Sequence, residues 1–302
     1  MKFTIFQDSR IGGREHNQDR LSYCYSRDSL LLIVADGMGG HLHGEVAAQI
    51  AVQYLTEAFQ RESRPRLPDP VLFLSWGFSN AHHAIADYAA AHDLPESPRT
   101  TCVACVVQDG CAWWAHAGDS RLYHLRGGRL LARTRDHSRV QLMVDQGQLT
   151  PAEALHHPAR NRVYSCLGGD HTPQVDFSHR TPLTAGDVLL LCSDGFWGPL
   201  EEALIEKSVA GAGIMQAVPQ LMAEAERRAG AGSDNLSALA VNWDGGGEDA
   251  RLAVETRTMP LDAHTTQMEG FRAPGQRDPT LTEEDIERAI DEIRGAIRKY
   301  SR

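Results

Sequence analysis

Two apolar segments of the chain end at an aspartate that is followed at once by glycine. The first covers residues 30–35 and ends at Asp36, and the second covers residues 188–192 and ends one residue before Asp194. Uninterrupted apolar runs of this length, rich in branched residues, are typical of buried strands. A carboxylate at the end of a buried strand is costly to desolvate unless a cation or several hydrogen-bond donors meet it. The pattern therefore predicts two buried strands that carry oxygen ligands to a divalent-metal site.

Alternating and helical patterns divide the rest of the chain. In residues 1–35 apolar and polar positions alternate, which predicts strands. From Gly44 the apolar positions recur every three or four residues, which predicts two helices separated by a proline-rich break at 65–68. Asp109-Gly110 and Gly127-Gly128 predict the turns of two hairpins. Later segments predict two more helices and a last strand, at 200–209, 214–229 and 236–243.

The order of these elements predicts the fold class. Strand hairpins predominate, with two helices inserted early and two late, and strands and helices do not alternate regularly. A parallel, doubly wound sheet requires that alternation. Antiparallel sheets with helices packed outside, an α+β fold, are therefore expected.

The chain also divides into a compact part and a tail. We predict a catalytic domain over 1–244, in which the polar, His-rich stretch 138–170 forms a flap over the site. Residues 245–280 contain three prolines and few apolar residues, and predict a linker. Residues 281–302 predict an amphipathic helix with isoleucines along one face, which either packs on its own domain or docks a partner.

Composition limits the compartment and the partners. The chain has 302 residues, a formal net charge of −10 and no basic block, which argues against nucleic acid as the main partner. No secretion signal follows Met1, and no run approaches the ~18 apolar residues of a membrane span. Six cysteines in a chain of this length are not a disulfide framework. Cys102 and Cys105 have an odd separation on a predicted strand and point to opposite faces. A cytoplasmic protein with core cysteines is expected.

Four aspartates lie beside glycine, serine or asparagine where strands are expected to end, and a fifth lies in the N-terminal turn segment. Hard divalent ions such as Mg²⁺ and Mn²⁺ prefer oxygen ligands. Two such ions about 3.5–4 Å apart activate water and clamp an in-line displacement at phosphorus. A single Asp-Gly pair more often marks only a turn, so the prediction rests on the whole set: Asp36, Asp119, Asp194, Asp234 and Asp19.

The segments around these aspartates resemble the motifs of a known family, in the family's order, across residues 1–243. They are Arg14-Glu15-His16-Asn17-Gln18-Asp19, Val34-Ala35-Asp36-Gly37-Met38-Gly39-Gly40-His41, Thr100-Thr101, Ala117-Gly118-Asp119-Ser120-Arg121, Arg135-Asp136-His137-Ser138, His157-Pro158-Ala159-Arg160-Asn161, Cys192-Ser193-Asp194-Gly195-Phe196-Trp197 and Ser233-Asp234-Asn235-Leu236. In these segments the chain resembles the bacterial form of the metal-dependent serine/threonine protein phosphatases of the protein phosphatase 2C (PPM) type.

The resemblance implies a fold and a metal centre. The fold is a four-layer αββα sandwich, two antiparallel sheets flanked by helices, with a dinuclear Mn²⁺ or Mg²⁺ site between the sheets at one edge. Asp36 would bridge the two metals, and the carbonyl of Gly37 would ligate one of them. Asp194 and Asp234 would hold one metal, and Asp19 would support the other directly or through water.

The resemblance also implies roles outside that pair of metals. Asp119 matches a third, weaker metal position, and Arg14 matches the arginine that grips the substrate phosphate, a task suited to a planar donor fork. Animal members have a histidine directly after the Asp-Gly, where this chain has Met38. His41 lies close in sequence and could protonate the leaving group through water, with metal-bound water as the alternative.

The function implied is hydrolysis of phosphoserine and phosphothreonine in proteins by direct attack of a metal-bridging hydroxide. The enzyme would oppose a bacterial Ser/Thr kinase, and its partner would be the phosphorylated substrate. Two alternatives are a catalytically weak phosphoprotein-binding regulator and a phosphatase of small phosphoesters.

Overall fold

The computed structural model describes residues 1–38, 43–154, 157–244 and 251–269, and within them it has fifteen strands and six α-helices. In chain order the strands are β1 (Lys2–Arg10), β2 (Asp19–Tyr25), β3 (Ser29–Met38), β4 (Arg99–Thr100), β5 (Cys102–Gln108), β6 (Cys111–Ala117), β7 (Arg121–Arg126), β8 (Arg129–Arg133), β9 (Leu167–Gly168), β10 (Asp176–Phe177), β11 (Thr181–Pro182), β12 (Val188–Cys192), β13 (Leu236–Trp243), β14 (Val254–Glu255) and β15 (Thr265–Glu269). The α-helices are α1 (His43–Glu62), α2 (Pro70–Ala91), α3 (Arg139–Asp145), α4 (Pro151–Ala154), α5 (Asp194–Trp197) and α6 (Glu202–Ala229).

The strands form two antiparallel sheets. In the described residues, one sheet has the order β14-β1-β13-β12-β7-β8, and the central path of the other is β10-β6-β5-β3-β2-β15. The short strand β11 also pairs with β6, and β4 lies between β3 and β9. No described pairing is parallel, so the predicted antiparallel arrangement is confirmed.

Alternation along β3 explains why the sheets stack and why helices cover them. Leu32 and Val34 belong to the apolar layer between the two sheets, whereas Leu31 and Ile33 pack with α1 and α2 on the outer face. A third apolar layer joins the other sheet to α5 and α6. Both faces of each sheet are buried, which is why the strand reads as a continuous apolar run rather than an alternating one. The predicted four-layer α+β sandwich is confirmed.

The cysteines follow the same alternation. Cys102 packs on the helix side of β5 and Cys105 packs between the sheets. All six cysteines of the chain are free thiols. The prediction of core cysteines on opposite faces of one strand is confirmed.

Turn chemistry places the hairpins as expected. Asp109 and Gly110 have φ angles of 51° and 67°, and Gly127 and Gly128 have φ angles of 55° and 75°. Two successive left-handed residues make the tight hairpin turn that matches strand twist. The two late helices are continuous as α6, with a kink at Gly213, whose φ of 63° is non-helical.

The prediction of a linker over 245–280 is wrong for the part of it that the structure describes. Strand β14 pairs with β1 at the edge of one sheet, and β15 pairs with β2 at the edge of the other. Thr256, between them, is fully buried and bonds the N-terminal amine at 2.7 Å. Backbone pairing at a sheet edge needs no apolar pattern, so composition did not reveal it. The predicted helix 281–302 lies outside the described residues.

Candidate metal centre

Strand pairing brings the first two aspartates together. Asp19 begins β2 and is the antiparallel partner of Asp36 on β3. Asp19 is fully buried; its backbone N–H donates to the Asn17 side chain. One of its carboxylate oxygens accepts a 2.7 Å hydrogen bond from Ser193, and the other has no partner among the described residues. A buried carboxylate oxygen of this kind needs a cation or a donor.

The second apolar run delivers Asp194 to the same place. Strand β12 ends at Cys192, Ser193 is the N-cap, and Asp194 is the first residue of α5. The hydroxyl of Ser193 accepts from the backbone N–H of Ser237 at 3.0 Å while it donates to Asp19. One serine therefore ties the ends of β2, β12 and β13 together.

A network of polar contacts holds Asp119 at the same edge. The indole N–H of Trp197, on α5, donates to the backbone carbonyl of Asp119 at 2.9 Å. The guanidinium of Arg121 lies 3.3 Å from the Trp197 ring centroid and makes a buried, two-pronged ion pair with Asp136. The backbone N–H of His137 donates to the Gly118 carbonyl at 2.9 Å. The segment before Asp119 is thus fixed by α5 on one side and by the base of the predicted flap on the other.

Gly37 has no room for a side chain. A Cβ added there would lie 2.2 Å from the carbonyl oxygen of Gly44 and 2.8 Å from that of Gln18. Its own N–H donates to the Gln18 carbonyl at 3.2 Å. Backbone therefore packs against backbone directly beside Asp36.

Arg14 and Asp234 form an ion pair at the rim. The Arg14 guanidinium donates to both carboxylate oxygens of Asp234, at 2.8 and 2.7 Å, while 58% of the Arg14 side chain remains exposed. Asn235 secures this rim, since its amide donates to the carbonyls of Ile11 and His16. The arginine is exposed enough to reach a ligand and is already aimed at the cluster.

The electrostatics of the cluster call for a cation. Desolvation, followed by repulsion from neighbouring carboxylates, raises the pKa of Asp19 to about 7 and that of Asp194 to about 6. The same two causes, in the same order, raise the pKa of Asp36 and of Asp119 well above the ordinary value. Carboxylates that resist ionisation together become favourable ligands once a divalent ion supplies the missing charge. An all-oxygen donor set of this kind fits Mg²⁺ or Mn²⁺.

The structure brings together seven of the eight residues singled out in the sequence. They are Arg14, Asp19, Asp36, Gly37, Asp119, Asp194 and Asp234. His41 lies outside the described residues. Sequence reasoning assigned no task to Ser193 or Trp197, although both lie in a quoted motif, because their contacts are to residues far away in the chain.

The family model described as protein phosphatase 2C matches residues 6–237 of the chain. The chain belongs to the protein phosphatase 2C family.

Individual members of the family are similar over most of the chain. The serine/threonine phosphatase Stp of Listeria monocytogenes is 30% identical over 241 residues, which are 79% of this chain and 95% of that protein. The crystal structure of PstP/Ppp from Mycobacterium tuberculosis has a TM-score of 0.70 at 31% identity, and the match covers 80% of this chain and 99% of that one. The structure of the PstP catalytic domain in complex with two manganese ions has a TM-score of 0.67 at 28% identity, with coverages of 80% and 99%.

These matches confirm the predicted family and the predicted enzyme class, a protein phosphatase 2C-type phosphoprotein phosphatase. The match to the family ends at residue 237, so β14 and β15 lie beyond it. Among the described helices, none is long and apolar enough to cross a membrane.

Proposed function

We propose that this chain is a metal-dependent serine/threonine protein phosphatase whose centre is the aspartate cluster at the sheet edge. The observation that carries the proposal is the convergence of these carboxylates, from strand ends far apart in sequence, beside an exposed arginine. Asp36 would bridge two Mn²⁺ or Mg²⁺ ions, with the Gly37 carbonyl on one of them. Asp194 and Asp234 would hold one ion, and Asp19 would support the other. When bound, the ions supply an activated water and offset charge on the phosphate oxygens.

The chain's own residues would orient the phosphate and the ligands. The guanidinium of Arg14 would bind the phosphate with its planar set of N–H donors. Its ion pair with Asp234 directs these donors towards the aspartate cluster. Ser193 fixes one oxygen of Asp19, which leaves the other for a ligand role. Trp197 fixes the backbone of Asp119, which we propose as the weaker third metal position. His41 as proton donor stays a prediction.

The biological setting is also a proposal. Relatives named serine/threonine phosphatases support a phosphorylated protein as the substrate. We propose that the enzyme opposes a bacterial Ser/Thr kinase. Six free thiols are consistent with the predicted cytoplasmic location. We propose that residues 138–170 form a flap that selects substrates, and that the predicted helix 281–302 docks a partner.

Turnover of a phosphothreonine peptide tests the proposal. We expect hydrolysis with Mn²⁺, none with EDTA, and none for Asp194→Ala, whereas Asp262→Ala, a change at an exposed turn, leaves the rate unaltered. No turnover by the folded, metal-loaded protein would instead favour the phosphoprotein-binding regulator. Turnover of a small phosphoester that a phosphopeptide does not compete with would favour the small-ester phosphatase.

A further inference from the structure

Two arginines on the segment 138–170 line a pocket of about 360 Å³ that contains none of the aspartates of the metal centre. Its walls are Arg139, Met143, His157, Pro158, Ala159 and Arg162. We propose that this pocket, the flap pocket, binds a second phosphate group carried by the same protein substrate, a few residues from the phosphate that is hydrolysed. The inference rests on the proposed phosphatase function and deepens it by naming the substrate class.

Charge is the first reason. Arg139 and Arg162 are exposed, and within the described residues neither guanidinium has a hydrogen-bond or ion-pair partner. No carboxylate is among the described residues that line the flap pocket. In a chain with a net charge of −10, two adjacent uncompensated arginines stand out. Guanidinium groups match the oxygens of a phosphate with parallel, charge-assisted hydrogen bonds.

The backbone holds the two arginines together. The N–H of Arg139 donates to the carbonyl of Arg162 at 2.8 Å, and Ser138 and Val163 form an antiparallel bridge. His157 lines the same pocket and is half-buried, and its Nδ1 accepts from the N–H of Ala159, so its other ring nitrogen carries the proton of the neutral ring. The flap pocket therefore offers three donor side chains, and backbone hydrogen bonds hold together the segments that carry the two arginines.

The position of the flap pocket relates it to the metal centre. His137 joins the two, because its N–H bonds the carbonyl of Gly118, next to Asp119, while its own carbonyl accepts from Tyr164. Arg139 follows two residues later, which places its backbone within roughly 15 Å of Asp119 by chain geometry. An extended peptide advances about 3.3 Å per residue. A second phosphorylated residue about three to five positions from the first would reach the flap pocket.

Matched peptides test the proposal on the full chain. Each peptide carries one phosphothreonine and, three to five residues away, threonine, glutamate or a non-hydrolysable phosphonate. For at least one spacing we expect kcat/KM to rise about tenfold with the phosphonate, through a lower KM, because two charge-assisted contacts are gained. The gain should disappear in the double variant Arg139→Ala/Arg162→Ala. It should persist in Arg66→Ala, which removes an exposed arginine paired with Asp109, outside the flap pocket.

Other outcomes overturn the assignment. Equal kcat/KM for threonine and phosphonate peptides at every spacing removes the second phosphate site. An equal gain from glutamate makes it a site for acidic residues, and a gain that survives the double variant places recognition elsewhere. Turnover of p-nitrophenyl phosphate, expected to be unchanged in the double variant, reports the proposed phosphatase function separately. If that turnover fails, fluorescence anisotropy with the phosphonate peptide alone still measures whether Arg139 and Arg162 bind it.

Discussion

Replacing Asp194 by asparagine should stabilise the metal-free protein while it removes a metal ligand. Desolvation by burial, followed by repulsion from Asp234, raises the pKa of Asp194 to about 6, against an ordinary value of 3.8. Above pH 6 the ionised group therefore costs the folded state up to about 3 kcal/mol, at 1.36 kcal/mol per pKa unit. Asparagine keeps an acceptor for the Gly195 N–H without the charge. We expect the unfolding midpoint to rise by about 3–10 °C.

The stability difference between Asp194→Asn and the wild-type protein should depend on pH. A raised pKa in the folded state means that folding takes up a proton, so the wild-type protein loses stability as pH rises from 3.8 through about 6. The advantage of Asp194→Asn should be full at pH 8, fall to about half at pH 5 and to about a fifth at pH 4, and nearly vanish near pH 3.

Thermal unfolding followed by circular dichroism in EDTA measures this. In excess Mn²⁺ the order should reverse, because only the wild-type protein gains the full binding energy of the ions. Asp262→Asn serves as the control and should not change the midpoint. A variant less stable than wild type at pH 8 in EDTA, or an advantage independent of pH, would refute the account of the cluster as mutually repelling carboxylates.

Three further perturbations have defined outcomes. Trp197→Phe keeps a ring beneath Arg121 but removes the hydrogen bond from the indole N–H to the Asp119 carbonyl. One such hydrogen bond contributes about 1 kcal/mol, so calorimetry should show that the weakest-bound Mn²⁺ binds about fivefold less tightly. Gly37→Ala would press a methyl against two backbone carbonyls, and the free energy of unfolding should fall by about 3 kcal/mol or more. Removing residues 251–302 deletes two edge strands, so the free energy of unfolding should fall by about 1–3 kcal/mol and the unfolding midpoint by several degrees. Turnover of small esters should be retained.

Each of these has a matched comparison. Trp76→Phe changes an exposed indole and should leave Mn²⁺ binding as it is. Gly211→Ala adds a methyl with nothing within 4 Å on α6 and should not destabilise the protein. A chain that ends at residue 269 keeps both edge strands and should be more stable than one that ends at residue 250. If that shorter deletion costs as much as the longer one, the edge strands are not the source of the stability.

The sequence by itself determined the strand ends and the chemistry they carry. Apolar runs that stop at Asp36 and Asp194 predict buried strands with terminal oxygen ligands, because local burial and turn chemistry are written in neighbouring residues. Neighbouring residues likewise predicted the two hairpin turns and the opposite orientation of Cys102 and Cys105, and the structure confirms both.

Contacts between distant parts of the chain were decided only by the tertiary structure. The hydrogen bond from Ser193 to Asp19 joins residues 174 apart in sequence, and that from Trp197 to Asp119 joins residues 78 apart. No spacing rule encodes either one. The edge strands in 251–269 escaped prediction because they are held by backbone hydrogen bonds, which leave little mark on composition. That Arg139 and Arg162 have no ion-pair partner among the residues the structure describes became visible only when their neighbours were known, since the charge of a residue is local but its compensation is not.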